Sequence, residues 1–131
     1  MKGKTQQNID ADDTIMVNKI HEYKEGSHKG TIVDVQRNEK GGYDYIDIVI
    51  ETEDIKGEIG SISQGFPTNI SKVSKLGQFL LKAGFDLEVE SISMRGMKDG
   101  LVGKELQFTT FNEETENGVF ARIVPESMKL K

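Results

Sequence analysis

Apolar and polar residues alternate most strictly over residues 43–52, YDYIDIVIET. Ile46, Ile48 and Ile50 fall on one side of an extended chain. Tyr43, Tyr45, Asp47, Val49 and Glu51 fall on the other. A period of two predicts a strand with one buried face. Residues 28–37, HKGTIVDVQR, alternate in the same way. The pattern puts Thr31, Val33 and Val35 on one face and Ile32, Asp34 and Gln36 on the other. Between the two runs lies a polar turn, residues 38–42, in which Gly41 and Gly42 are free to take positive φ. Together they predict a β-hairpin. A shorter third strand is expected within residues 55–66, near 58–64, closed by Phe66-Pro67 because proline ends ladder pairing.

The period then changes. Over residues 71–84, SKVSKLGQFLLKAG, the apolar stripe Val73, Leu76, Leu80 and Ala83 predicts one amphipathic helix. Ser71 is placed to cap its first turn. Gly84 is placed to end it in the left-handed conformation, with Phe85 folding back on Leu80. Gly77 inside the helix costs about 1 kcal/mol against alanine, a cost that close approach of a strand would explain. Residues 86–103 read as a long connection containing Gly96, Gly100 and Gly103. Strands return at 104–111, with Leu106 and Phe108 facing in, and at 119–124, with Val119, Ala121 and Ile123 opposite Phe120 and Arg122. The loop between them, residues 112–118, ends in Asn-Gly.

The resulting order, β-β-β-α-β-β, is that of an all-β fold with one helix, the five-stranded OB-fold barrel. Residues 25–125 are expected to form this domain. Residues 1–24 read as a flexible tail, mobile over 1–8, with an extra strand or turn within 9–23. Residues 126–131 read as a C-terminal tail.

Composition narrows the chemistry. At 131 residues the chain fits one domain. It has no cysteine, so disulfides and thiolate metal sites are impossible. No apolar run approaches 18 residues, and residues 1–13 are polar. No membrane span or secretory leader is expected, and the location expected is cytoplasmic. His21 and His28 are the only histidines, and neither has a neighbouring serine or acid pattern of the triad kind. Metalloprotease, EF-hand and phosphate-loop spacings are missing from the sequence. A non-enzyme with no cofactor and no metal is expected.

Oligonucleotides or oligosaccharides are the usual ligands of such barrels. Tyr43 and Tyr45 share the outward face of the second strand, where rings can stack on bases with little sequence preference. Arg37 and Lys40 flank the adjoining turn and are candidates for phosphate. Phe120 and Arg122 offer the same combination on the last strand, and Arg95 and Lys98 offer a side clamp from the connection. Each has a plainer reading. The tyrosines and Phe120 could pack internally, and Arg95 and Lys98 could be solvated. The formal net charge of -5 opposes indiscriminate polyanion binding, and residues 31–70 hold three basic against eight acidic side chains. Asp47 shares the tyrosines' face, and Glu113, Glu114 and Glu116 crowd the last loop.

The pattern resembles the small OB-fold single-stranded-DNA-binding proteins of phages and prophage-like regions. The resemblance lies in Glu25-Gly26, in Lys40-Gly41-Gly42-Tyr43, and in Phe66-Pro67 leading to Ser74-Lys75-Leu76-Gly77. It continues in the run from Leu80 to Gly84 and in Leu101-Val102-Gly103-Lys104. It covers about residues 25–125. It implies a non-catalytic protein that binds single-stranded DNA, or RNA, in replication or recombination without sequence preference. The acidic C-terminal tail of many such proteins is replaced by the basic Met128-Lys129-Leu130-Lys131. The alternative from another class is a protein-interaction or homo-oligomerisation module on the same fold, with Tyr43, Tyr45 and Val49 as its surface.

Overall fold

The computed structural model describes residues 13–15, 17 and 20–131. The expected mobility of residues 1–8 lies outside the described residues. Six strands form one antiparallel sheet: β1 (Gly26–Lys40), β2 (Tyr43–Glu53), β3 (Ile59–Pro67), β4 (Glu105–Thr115), β5 (Gly118–Ile123) and β6 (Lys129–Leu130). Two helices stand between β3 and β4: α1 (Lys75–Lys82) and α2 (Met94–Leu101). The strand order is β3-β2-β1-β4-β5, with β6 paired to β4. The described residues are therefore mostly β, as expected, but between β3 and β4 they hold two helices where one was expected, and they form a sixth strand. The sheet is also open. β3 and β5 approach one another without forming a ladder. Each runs into a proline, Pro67 or Pro125, which brings no N–H to an edge pairing.

β1 is the strand on which the others are assembled. Its first half pairs with β4, from Gly26↔Thr110 to Thr31↔Glu105, and its second half with β2, from Thr31↔Glu51 to Lys40↔Tyr43. Simple alternation fails in its middle. The β2 register slips between Ile32 and Asp34, so Val33 is a bulged extra residue. Ile32 and Val35 consequently both face the core and are fully buried, whereas alternation had placed them on opposite faces. The Asp34 carboxylate accepts a hydrogen bond from the Val35 backbone N–H at 2.8 Å beside the bulge. The turn into β2 has positive φ at both central residues, 60° at Gly41 and 84° at Gly42, as a type I′ turn requires.

The alternation predicted for β2 is present: Ile46, Ile48 and Ile50 are buried. With Ile32, Val35, Phe66, Leu106, Phe108 and Ile123 they form the sheet's main share of the core. α1 contributes Leu76, Phe79 and Leu80, with the Phe79 ring stacked on Phe66 at 5.5 Å. This helix starts four residues later than expected. Its cap is Ser74, whose hydroxyl accepts from the Gly77 N–H at 2.9 Å. Ser71 instead closes the preceding turn, so Val73 is outside the helix and 85% exposed. A Cβ on Gly77 would overlap the Ser71 carbonyl oxygen outright, so the close approach is to this turn and not to a strand. Gly84, with φ 91°, ends the helix as expected: its N–H and that of Phe85 return to Leu81 and Leu80.

The connection over residues 86–103 contains the second helix. Ser93 caps α2 by accepting from the Gly96 N–H at 2.9 Å, and Met97 and Leu101 are buried one turn apart. The Phe85 ring seats against Gly100, where any side chain would collide with it. The C-terminus also departs from expectation. Residues 125–127 form a 3-10 turn, Met128 is buried at 1% exposure, and β6 pairs Leu130 with Leu106. It is part of the domain and not a tail. At the other end, the described residues 20–24 form no strand, but Tyr23 is buried and the Glu22 carbonyl accepts from the Ile55 N–H at 2.8 Å. The packed domain thus exceeds the expected 25–125 on both sides.

Two substitutions check this packing. Met128→Ala should destabilise the protein by about 2–5 kcal/mol, as truncation of a buried methionine does. A free tail would give no change in a urea melt. Gly77→Ala, favourable in an open helix by about 1 kcal/mol, should instead cost at least about 1–3 kcal/mol as overpacking.

Candidate nucleic-acid interface

The register of the β1–β2 hairpin decides which candidate residues share a face. Directly opposed residues project to the same side. Lys40 opposes Tyr43, Asn38 opposes Tyr45, and Gln36 opposes Asp47, so these six side chains stand together on the outer face. Tyr43 is 70% exposed, so it does not pack under another segment among the described residues. Tyr45 is half-buried, and the Lys40 ammonium lies 6.0 Å from its ring centroid. On β3 the same face is lined by Pro67, Gly65 and Ser63, opposite Tyr45, Asp47 and Val49. Small residues leave this surface low beside the tyrosine rings.

Arg37 does not join them. It opposes Ile46 and so projects to the inner side of the hairpin, beyond the edge of the core. There its guanidinium donates to Asp44, with Nε 2.9 Å from Oδ2. That pairing holds the Asp44 carboxyl below its ordinary value and raises Arg37. The sequence carried the signal: a two-residue turn puts Lys40 and Arg37, three positions apart, on opposite faces.

Two neighbours of the tyrosines had no role assigned from sequence. Asn38 donates to Asp47 Oδ2 at 2.5 Å, and Lys40 Nζ lies 3.7 Å from the same oxygen. Asp47 is 6% exposed on a strand face that alternation makes outward. Its other oxygen, Oδ1, is buried and has no hydrogen-bond partner.

The remaining candidates lie elsewhere. Arg95 and Lys98 are on α2, not in a loop. Lys98 Nζ is 3.7 Å from Asp34 Oδ1, while Arg95 is exposed and has no acidic partner among the described residues. Arg122 donates to Glu113 at 2.7 Å and lies over the half-buried Phe120 ring at 5.8 Å. These two stand on the β4–β5 arm, which continues past the Gly26 end of β1, whereas Tyr43 and Lys40 stand at its other end. The structure therefore brings Lys40, Tyr43 and Tyr45 together and leaves Phe120 with Arg122, and Arg95 with Lys98, as separate groups. The expected loop at 112–118 is largely strand: β4 runs to Thr115 and only Glu116 and Asn117 turn.

The histidines acquire partners that their sequence neighbours did not reveal. His21 Nδ1 is 2.7 Å from Asp54 Oδ2, and Glu58 completes a group of three ligand-type side chains within 4.8 Å. Asp54 is already engaged on both oxygens, because its Oδ1 accepts from the Lys56 and Glu58 backbone N–H groups while Oδ2 faces His21. The group ties residues 20–24 to the β2–β3 turn. The His28 ring stacks on Phe108 at 5.6 Å and bonds the Lys24 carbonyl at 2.6 Å. No described helix is long and apolar enough to cross a membrane. No family model matches the chain, and no curated protein matches it in sequence.

The carboxylates give a pH signature. The Asp54 carboxyl is held below its ordinary 3.8 chiefly by His21, and that of Asp34 chiefly by Gln36 and the Val35 N–H. A depressed folded value contributes stability that is present above the ordinary value and lost as pH falls through the folded one. Melting temperature followed by circular dichroism should fall steeply below about pH 4. Asp54→Asn should melt lower at pH 7 and show a shallower acid decline. Parallel curves for the two proteins would mean that the Asp54 contacts contribute nothing.

Proposed function

We propose that this chain is a non-catalytic module that binds single-stranded nucleic acid on the outer face of its β1–β2 hairpin, serving replication or recombination. The observation that carries it is the grouping of exposed Tyr43, half-exposed Tyr45 and Lys40 beside a low face of β3. Two rings and one ammonium on one side are the elements of a stacking platform with a phosphate contact. The strand order, with β3 and β5 drawn near each other but unpaired, supports a partly open OB barrel. In that fold the face of strands two and three and the loops after strands one and four hold the strand of nucleic acid. Here those loops are Gly41-Gly42 and Glu116-Asn117.

Electrostatics sets the character of the binding. Lys40, Arg37, Lys98 and Arg122 are each paired with a carboxylate. A phosphate must displace an internal anion at each, and the freed carboxylate then gathers cations from solution. Net ion release per contact is accordingly smaller than the roughly 0.7 per phosphate of a bare single-strand site. Stacking supplies most of the affinity.

A fluorescence titration with a labelled mixed-sequence 20-nucleotide DNA at two salt concentrations tests this. Tyr43→Ala/Tyr45→Ala should remain folded and lose about 2–6 kcal/mol of affinity, from about 1–3 for each stacked base, with the salt slope unchanged. Lys40→Ala should weaken binding modestly and flatten the slope. No binding by the wild type at low salt would sink the proposal. A second reading, self-association, is favoured by the β4–β5 arm, where Phe111 and Val119 are exposed. If the wild type binds no DNA and Phe111→Ser or Val119→Ser lowers its sedimentation coefficient, that reading replaces the first.

A further inference from the structure

We propose that Asp47 is the specificity-determining residue of this face, accepting a hydrogen bond from the exocyclic amine of a base stacked on Tyr45. The inference rests on the nucleic-acid reading above and departs from the indifference to sequence expected of a pure stacking platform.

Three observations carry it. Asp47 Oδ1 is buried with no donor. A buried acceptor left unpaired is costly, and a carboxylate oxygen more so. The oxygen is also well placed. It lies over Gly65, 2.8 Å from where a Cβ would stand, and the Tyr45 ring borders the same point at 4.0 Å. Gly65 thus makes room for the carboxylate itself, and the edge of a base on Tyr45 reaches Oδ1 once that ring turns aside. Finally, the cation that neutralises Asp47 is the one needed for phosphate. Lys40 Nζ is 3.7 Å from Oδ2 and 6.0 Å from the Tyr45 centroid. When Lys40 swings to a phosphate, Asp47 keeps only Asn38 as donor and loses its countercharge. A ligand that brings its own donor offsets that loss.

The bases differ in what they offer. Cytosine N4, adenine N6 and guanine N2 are amines that donate to a carboxylate. Thymine and uracil present only N3–H, flanked on both sides by carbonyl oxygens that a carboxylate repels. A strand of cytosines should therefore bind better than one of thymines, by about ten- to a hundredfold for one hydrogen bond to a charged acceptor.

The experiment is a pair of titrations of the full chain with labelled dC and dT 20-mers at low salt, for wild type and Asp47→Asn. Asparagine keeps the shape and the contact to Asn38, removes the charge, and can donate to thymine O4. Wild type should prefer dC, and Asp47→Asn should abolish or invert the preference while melting close to wild type. Asp47→Ser, which removes the reach altogether, should equalise the two ligands, and serves if the asparagine variant misfolds. Equal binding of dC and dT by wild type overturns the assignment of Asp47 and leaves the proposed function standing. A dC preference that survives both variants also overturns it. Binding of neither strand overturns both.

Discussion

One extra residue in β1 governs the rest of the sheet. The bulge at Val33 lets a fifteen-residue strand serve β4 with its first half and β2 with its second. A strand without it would send Ile32 and Val35 to opposite faces and expose one of them. With it, both are buried, and the hairpin beyond carries Gln36, Asn38 and Lys40 on its outer side. Bulges bend the strand and raise its twist. Here the bulge is supported on both sides. Asp34 caps the Val35 N–H, and Ile32 exchanges backbone hydrogen bonds with Gly103 and Lys104 at the end of α2, at 2.8 and 2.9 Å. The second helix is thus part of what holds the bend.

Part of the charge is spent inside the molecule. Four of the eight acids of residues 31–70 have a basic partner among the described residues: Asp34 with Lys98, Asp44 with Arg37, Asp47 with Lys40 and Asp54 with His21. Exposed pairs of this kind add little stability. Of these pairs only Lys40–Asp47 lies beside the tyrosines on the outer face of the hairpin, where it engages the one cation of that group. What is left on the outer face of the hairpin is two aromatic rings, one shared lysine and one buried carboxylate. That combination suits recognition by stacking and hydrogen bonding more than by bulk electrostatic attraction.

Both flanks of the expected domain are drawn into it by single residues. Tyr23 packs beside His21 and His28, and Met128 fills the core while β6 pairs with β4. Neither flank carries a periodic signal, since one aromatic or one methionine in a polar stretch has no pattern to read. The same holds for α2. Gly96 and Gly100 lower its helix propensity, and only the pair Met97 and Leu101, with Ser93 before them, marked it.

The sequence by itself determined the elements whose burial repeats regularly. β2, the Gly41-Gly42 hairpin turn and the inward Leu106 and Phe108 were legible because alternation and turn chemistry are local. So were the centre of α1 and its glycine stop. Within the candidate site, the outward tyrosines and Lys40 were legible for the same reason. Only the tertiary structure decided the bulge, the open edge between β3 and β5, and the late start of α1. It alone removed Arg37 from the tyrosine face, separated the two aromatic–cation groups, and buried Asp47 between Asn38 and Gly65. Each of these depends on which strand lies alongside which and in what register. A partner tens of residues away sets that register, and no window along the chain contains it.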